Sequence, residues 1–248
     1  PEATAVAVLP GGLLATNVHV LGNAETLRIR LSDGRLMAAS IVAKDTATDL
    51  ALIKAPVELP VLSPAPPPKL AQPVCAIGNQ FGLGLSVSCG VVSAVHRTGT
   101  GFNEIEDFVQ TDATVNPGGS GGALVDYEGR LVGLVSAIFT KQSDADIGVN
   151  FAASIDLVMR VVTDLRDHGR VVRGVLGFEA GDLTEAEQAA LVGVRVRRVD
   201  RAGPAFAAGL DAGDIIERVG VRRVRRGTDL TSALALFRPG ERVGLTVQ

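Results

Sequence analysis

The stretch Thr111-Asp112-Ala113-Thr114-Val115-Asn116-Pro117-Gly118-Gly119-Ser120-Gly121-Gly122-Ala123-Leu124 decides how this chain of 248 residues is read. It sets Ser120 between two pairs of glycines. An attacking hydroxyl needs such a setting. Small neighbours let a substrate carbonyl come close, and glycine's tolerance of unusual φ and ψ lets the N–H groups around Gly118, Gly119 and Ser120 form an oxyanion hole, with those of Gly118 and Ser120 as donors. A GGSGG run by itself equally fits a flexible linker or a turn. What separates the two is whether a base and a carboxylate accompany the serine.

A serine nucleophile needs a base to take its proton and a carboxylate to hold that base in the right tautomer. Three histidines are present. His19 lies in LLATNVHVL (13–21), after the Gly11-Gly12 turn, in an apolar run that predicts a strand end. Asp49 lies in TATDLALIK (46–54), at the mouth of a short strand whose Leu50, Leu52 and Ala51, Ile53 supply two apolar faces. The order along the chain is His, Asp, Ser, which is that of trypsin-like peptidases and not that of subtilisin-like or α/β-hydrolase enzymes. His96, in SAVHRTG, reads as a strand-end surface residue. His168, beside Gly169, reads as a partner of a helix C-terminal dipole.

In these segments the chain resembles the HtrA (Deg) family of trypsin-fold serine peptidases that carry PDZ domains, and the resemblance covers nearly all of it. TNVHV (16–20), DTATDLALIK (45–54) and TDATVNPGGSGGAL (111–124) are similar to the family's histidine, aspartate and serine segments, and AIGNQFGLGLSVSCGVVSA (76–94) to the hairpin between them. The resemblance implies a mostly β fold, a trypsin-like double antiparallel β-barrel followed by an α+β PDZ domain. It implies a serine endopeptidase of unfolded or damaged proteins, with Ser120 as nucleophile, His19 as base and Asp49 as the carboxylate that orients it. It places the edge that pairs with substrate backbone at Ser136-Ala137-Ile138, and a wall of the specificity pocket at Asn150. It further implies a homo-oligomer, a trimer, in the periplasm or another extracytoplasmic compartment, with a secretion signal or membrane anchor upstream. Two positions depart from the family: Gly119 stands where Asn is usual, and Asn150 where Gly is usual. The first supports a rival expectation, a catalytically silent, chaperone-like peptide-binding protein of the same fold. No acidic residue is evident for the base of the specificity pocket, so small aliphatic side chains are expected before the scissile bond.

Composition sets the outer bounds. The length suffices for more than one domain, and the longest apolar runs stay well short of the ~20 residues that a membrane span needs. A net charge of −3 argues against nucleic acid as a main partner. Residues 171–248 are the more basic part, and their arginines, such as Arg195, Arg197 and Arg198, are expected to solvate strand surfaces. No cofactor is called for, and the two cysteines are too few for a disulfide framework and lack metal-ligand spacing. A hairpin turn centred near Gly82 would set Cys75 opposite Cys89. A disulfide and a buried pair of thiols both fit that placement.

Residues 1–170 are expected to form the peptidase domain, with SPAPPPK (63–69) as the spacer between its barrels. The chain opens inside an interior strand, TAVAVLPGG (4–12), so a further strand is expected upstream. Ser154 caps a helix in which Ile155, Val158, Val161, Val162 and Leu165 recur at helical spacing. Residues 171–248, beginning with RGVLGFEAGDLTEAE (173–187), look like a PDZ domain of the HtrA type. There Val175-Leu176-Gly177-Phe178 would be the loop that captures a peptide C-terminus, and a helix from Asp229 to Phe237, with Thr228 as its N-cap, the other groove wall.

Overall fold

The computed structural model describes residues 3–24, 26–138 and 148–248. The chain divides into two compact units, Pro1–Val171 and Val172–Gln248. In the first, β1 (Val6–Leu9), β2 (Leu13–Asn17), β3 (Leu27–Arg30), β4 (Leu36–Asp45) and β5 (Leu50–Lys54) form an antiparallel sheet in the order β1-β2-β5-β4-β3, with a single helical turn, α1 (Val18–Leu21), after β2. β5 is central. Leu50, Ala51, Leu52 and Ile53 are therefore all buried, which is why that run shows no polar alternation.

Six further strands, β6 (Pro73–Gly78), β7 (Ser86–Arg97), β8 (Phe108–Thr111), β9 (Ala123–Val125), β10 (Leu131–Ile138) and β11 (Asn150–Ser154), close into a barrel in the order β10-β11-β8-β7-β6-β9. Its core includes Val74, Ala76, Val92, Val109, Leu124, Val132 and Ala152. The proline-rich stretch joins sheet to barrel but is more than a spacer. Ala65 donates to Leu131 O (2.9 Å) and Leu131 N donates to Ser63 O (2.8 Å), so the stretch docks alongside β10. Proline lacks an N–H, and only the non-proline Ala65 can donate there.

The helix α2 (Ile155–His168) comes directly after β11. Ser154 Oγ accepts from Leu157 N at 3.2 Å, and Gly169 ends the helix in the left-handed conformation. Its apolar face packs on β4, β5, β10 and β11, and thus against both halves of the unit. His96 is exposed near the end of β7, and it also has a partner. Its Nδ1 lies 2.9 Å from the buried Asp107 carboxylate, whose other oxygen accepts from Ser154 Oγ at 2.6 Å. The pair ties the end of β7 to the start of α2. In the turn between β9 and β10, burial opposes ionisation of Asp126, but the Arg130 N–H and guanidinium and the Glu128 N–H outweigh it and hold the carboxyl below its ordinary range.

β6 and β7 pair with Cys75 opposite Cys89 and Gly78 opposite Ser86, and a disulfide joins the cysteines. Val74 and Ala76 point into the core, so the bridge lies on the outside of the barrel and Cys89 is exposed. We expect non-reducing mass analysis to find one linked pair, and reduction to lower stability by about 3 kcal/mol, because the bridge closes a loop of about 15 residues. Two freely alkylated thiols in unfolded, unreduced protein would contradict this.

The second unit comprises β12 (Phe178–Asp182), α3 (Glu185–Gln188), β13 (Val194–Val199), α4 (Pro204–Ala207), β14 (Ile215–Val219), β15 (Arg222–Arg223), α5 (Gly227–Ala235) and β16 (Leu245–Val247). Its sheet runs β12-β13-β14-β15, with β16 also paired to β14. Val194, Val196, Ile216, Val219, Leu230 and Ala233 fill the core. Arg195 and Arg198 do more than solvate the sheet, being paired with Glu187 and Glu179. Hydrogen bonds from the Thr184 N–H and hydroxyl, with help from Arg195, hold the Glu187 carboxyl below its ordinary range. α5 begins two residues before the expected start. Asp229 reaches back to the N–H groups of Arg225 (2.9 Å) and Arg226 (3.1 Å), and Asp182 accepts from Gly227 N (2.6 Å), so Thr228 lies inside the helix and is not its cap.

Candidate active site

Asp49 sits immediately before β5 at φ 57°, a left-handed conformation that a short polar residue tolerates better than most. The turn lets one residue hold four groups. Its carbonyl accepts from Val18 N (3.1 Å) and Asn17 Nδ2 (3.2 Å), and its Oδ1 accepts from His19 N (2.9 Å). Its Oδ2 lies 2.5 Å from His19 Nδ1. These bonds draw the chain out of the β2 ladder, and His19 therefore lies in the one-turn helix α1 and not at a strand end. The Asp49 carboxylate is mostly shielded, while half of the imidazole faces solvent.

Ser120 lies in the loop between β8 and β9. The loop is held from the hairpin side and from the first sheet. Phe81 N donates to Pro117 O (2.7 Å), Gly122 N to Gly119 O (2.9 Å) and Thr4 N to Ser120 O (3.0 Å), and Thr4 Oγ1 donates to Gly118 O (2.8 Å). All peptide bonds here are trans, so each N–H points away from the carbonyl of its own peptide unit. The Gly118 N–H therefore points away from the Phe81 contact of Pro117 O, and the Ser120 N–H away from the Gly122 contact of Gly119 O. Neither meets an acceptor among the described residues. The Gly119 N–H, in contrast, is used by Asn116 O (2.9 Å).

Two glycines in this loop are required by space as much as by φ. A Cβ on Gly118 (φ 92°) would lie 2.3 Å from Asn79 O, and one on Gly121 (φ 80°) 2.0 Å from Thr4 O and 2.5 Å from Thr16 Oγ1. The second contact sets Ser120-Gly121 against β2, three residues before His19. His19 and Ser120 are not hydrogen-bonded to each other among the described residues.

β9 pairs with β10 only as far as Leu134, after which Val135 exchanges hydrogen bonds with Gly121 and Gly122 (2.8 Å each). Beyond it, Ser136, Ala137 and Ile138 meet β11 on one side, with Ile138 opposite Asn150. The other edge is open among the described residues. The Ser136 side chain does not face that edge: it is buried and accepts from Asn17 Nδ2 at 3.3 Å, linking β10 to the residue that also bonds Asp49 O. Asn150 is buried too, and its Nδ2 donates to Ala113 O (3.0 Å), tying β11 to the segment that leads into Ser120.

Several supports carry no signal in the sequence. Thr4 binds loop residues 114 positions away. The Gln80 amide accepts from Asn116 Nδ2 (2.8 Å) and donates to Thr114 O (3.2 Å), bracing the loop beside Gly119, where a Cβ would lie 3.0 Å from Asn116 O. In the second unit, Leu176 O accepts from Ala205 N (3.0 Å) and Gly177 O from Asp200 N (2.7 Å). The N–H groups of Leu176 and Gly177 have no acceptor among the described residues, Val175 is exposed, and Phe178 begins β12.

A sheet and a barrel presenting a serine loop and a His–Asp pair, with a second unit offering a strand edge and free N–H groups, define a trypsin-like peptidase fold joined to a PDZ fold. Family models agree: a trypsin-like peptidase domain matches residues 3–134 and a PDZ domain residues 145–248. The chain is 37% identical over 246 residues to a probable periplasmic serine endoprotease DegP-like of Halomonas elongata, and this covers 95% of the chain and 51% of that relative. It is 33% identical to the serine endoprotease DegS of Escherichia coli, covering 95% of the chain and 70% of DegS. A solved HtrA-type protease AlgW with tripeptide superposes with a TM-score of 0.79 at 38% identity, over 99% of this chain and 84% of that one. The chain belongs to the HtrA/Deg family of serine peptidases. It spans about half the length of the DegP-type relatives it matches.

Proposed function

We propose that the chain is a serine endopeptidase acting through an acyl-enzyme, and the observation that carries this is that the Gly118 and Ser120 N–H groups meet no acceptor among the described residues, in a loop that packs on β2 three residues before His19 of the His19–Asp49 pair. His19 takes the Ser120 proton as the hydroxyl attacks a peptide carbonyl, and Asp49 fixes the tautomer and stabilises the imidazolium. The two N–H groups hold the oxyanion. His19 then protonates the leaving amine and, in the second half, activates the water that frees the acyl group. The hydrogen bond between Ser120 and His19 closes when substrate is bound, as apo geometries in such sites are commonly loose. The acyl side of the substrate pairs as an added strand with the open edge at Ser136–Ile138. Asn150 shortens the specificity pocket, which favours small aliphatic side chains before the scissile bond. Substrates are unfolded or damaged proteins. A fluorophosphonate probe mapped by mass spectrometry to Ser120, with casein cleaved in preference to short-chain esters, is the expected result; an unlabelled Ser120 would instead favour the silent peptide-binding alternative.

The second unit binds peptide C-termini. Free N–H groups at Leu176 and Gly177 supply charge-assisted hydrogen bonds to a carboxylate, and β12 with α5 forms the groove. A peptide with an apolar last residue should bind the Ser120→Ala chain, and amidating its terminus should weaken binding about tenfold or more, since hydrogen bonds to charged groups are worth about 1.5–3 kcal/mol. Equal anisotropy titrations for acid and amide would refute C-terminal recognition. Several relatives are named periplasmic, which supports an extracytoplasmic place for this chain, where the Cys75–Cys89 bridge would persist. The trimer and the membrane anchor of the family are parts of the same proposal.

A further inference from the structure

Arginines gather at one place in the second unit. Arg218, Arg222, Arg223, Arg225 and Arg226 fall within RVGVRRVRR (218–226), a stretch without an acidic residue, which forms the end of β14, β15 and the lead into α5. β14 and β15 pair with Arg218 directly opposite Arg223. Like charges in that register repel, so folding does not favour the arrangement and a ligand of opposite charge would. Arg195 and Arg198 each have a glutamate. Arg225 and Arg226 are exposed, and their guanidinium groups meet no carboxylate among the described residues. The place is one end of β12. Gly227 N donates to Asp182 Oδ1 (2.6 Å), which ties the first residue of α5 to the last of β12, and α5 packs on β12. The nearest carboxylates, Asp182 and Asp229, are turned to the N–H groups of Gly227 and of Arg225 and Arg226.

We propose that Arg225 and Arg226 form a second subsite of the groove, which selects polypeptides carrying Asp or Glu at the fifth to seventh residues from an apolar C-terminus. The proposal rests on the reading of the second unit as a binder of C-termini. The edge of β12 away from β13 is unpaired among the described residues. A chain added there with its carboxylate at Leu176-Gly177 runs antiparallel to β12, so its residues, counted back from the terminus, pass from Phe178 towards Asp182. β12 has five residues. With about 3.3 Å per residue on both strands, the fifth residue from the end comes level with Asp182, and those before it come level with Arg226 and Arg225. The guanidinium fork matches a carboxylate in shape and charge, which identifies the side chains that fit.

The test titrates labelled peptides into the Ser120→Ala chain by anisotropy, all with the same apolar last residue and differing only in Glu, Gln or Lys at the fifth to seventh positions from the end. The Glu peptide should show a Kd about fivefold lower than the Gln peptide, with the Lys peptide weakest, and added salt should narrow the gap because these charges are exposed. In the double variant Arg225→Gln and Arg226→Gln, the Glu and Gln peptides should bind alike. In Arg225→Glu and Arg226→Glu, the Lys peptide should become the tightest. Both side chains are exposed and the N–H groups that Asp229 accepts from are kept, so the fold is not at stake. Equal Kd values for Glu and Gln in the parent chain, or a preference that survives the Gln variant, would overturn the subsite. A preference for acid over amide ends without any effect of Glu would reject the subsite and leave C-terminal recognition standing. An amidated Glu peptide that binds as tightly as its acid form would reject both, since the arginines would then hold acidic chains without the groove. Equal Glu and Gln values, with sedimentation on phosphatidylglycerol vesicles that the Gln variant loses, would assign the arginines to a lipid surface instead.

Discussion

Ser120→Ala is expected to abolish covalent labelling by fluorophosphonate and to lower kcat on casein or an extended peptide by on the order of 10⁶-fold, the loss seen when a serine nucleophile is removed from such a constellation. The fold should be unaffected. Among the described residues the hydroxyl makes no hydrogen bond, so its removal leaves no group unpaired, and the backbone contacts of Ser120 to Thr4 do not depend on the side chain. The residual rate that remains comes from the oxyanion donors and from substrate positioning. Thermal unfolding and circular dichroism measured beside the kinetics separate loss of chemistry from loss of structure. Cleavage at the parent rate by a preparation free of contaminating peptidase would remove Ser120 from the reaction.

The parts of the molecule that could be read from sequence are those fixed by local chemistry. The β6–β7 register follows from a turn centred at Gly82, because an antiparallel hairpin pairs residues symmetrically about its turn. α2 follows from Ser154, a helical apolar stripe and Gly169, all local signals. The supports of the Ser120 loop could not be read. Thr4, Gln80 and Asn116 act over separations of 34 to 114 residues through single hydrogen bonds, and no spacing rule relates such partners. The start of α5 was hidden for a similar reason, since Asp182, 45 residues upstream, caps it. The single turn at His19 arises from Asp49, which lies 30 residues away in the turn before β5, and a run such as VHVL, rich in valine, gives no hint of helix. Gly119 removes a side chain that the family usually has, and the brace supplied by Gln80 and Asn116 stands beside that gap. This weakens the reason for expecting a silent protein.

Asp49→Asn should separate the two tasks of that residue. Asparagine tolerates φ 57° and its amide oxygen can still accept from His19 N, so the turn before β5 and the helix α1 should form as before. The amide NH₂ then faces His19 Nδ1, which must become the acceptor, and the ring proton moves to Nε2, the nitrogen that has to take the Ser120 proton. The imidazolium also loses its counter-charge. A drop in kcat of on the order of 10⁴-fold near neutral pH is expected, with unfolding temperature little changed. Asp49→Ala should lose activity and stability together, because alanine in the left-handed region costs about 1–2 kcal/mol and the His19 N–H loses its acceptor. Steady-state kinetics and thermal melts on the two variants distinguish these outcomes. If Asp49→Asn kept activity within tenfold of the parent, the 2.5 Å contact between Asp49 and His19 would have to be structural, and another group would have to set the tautomer of the base.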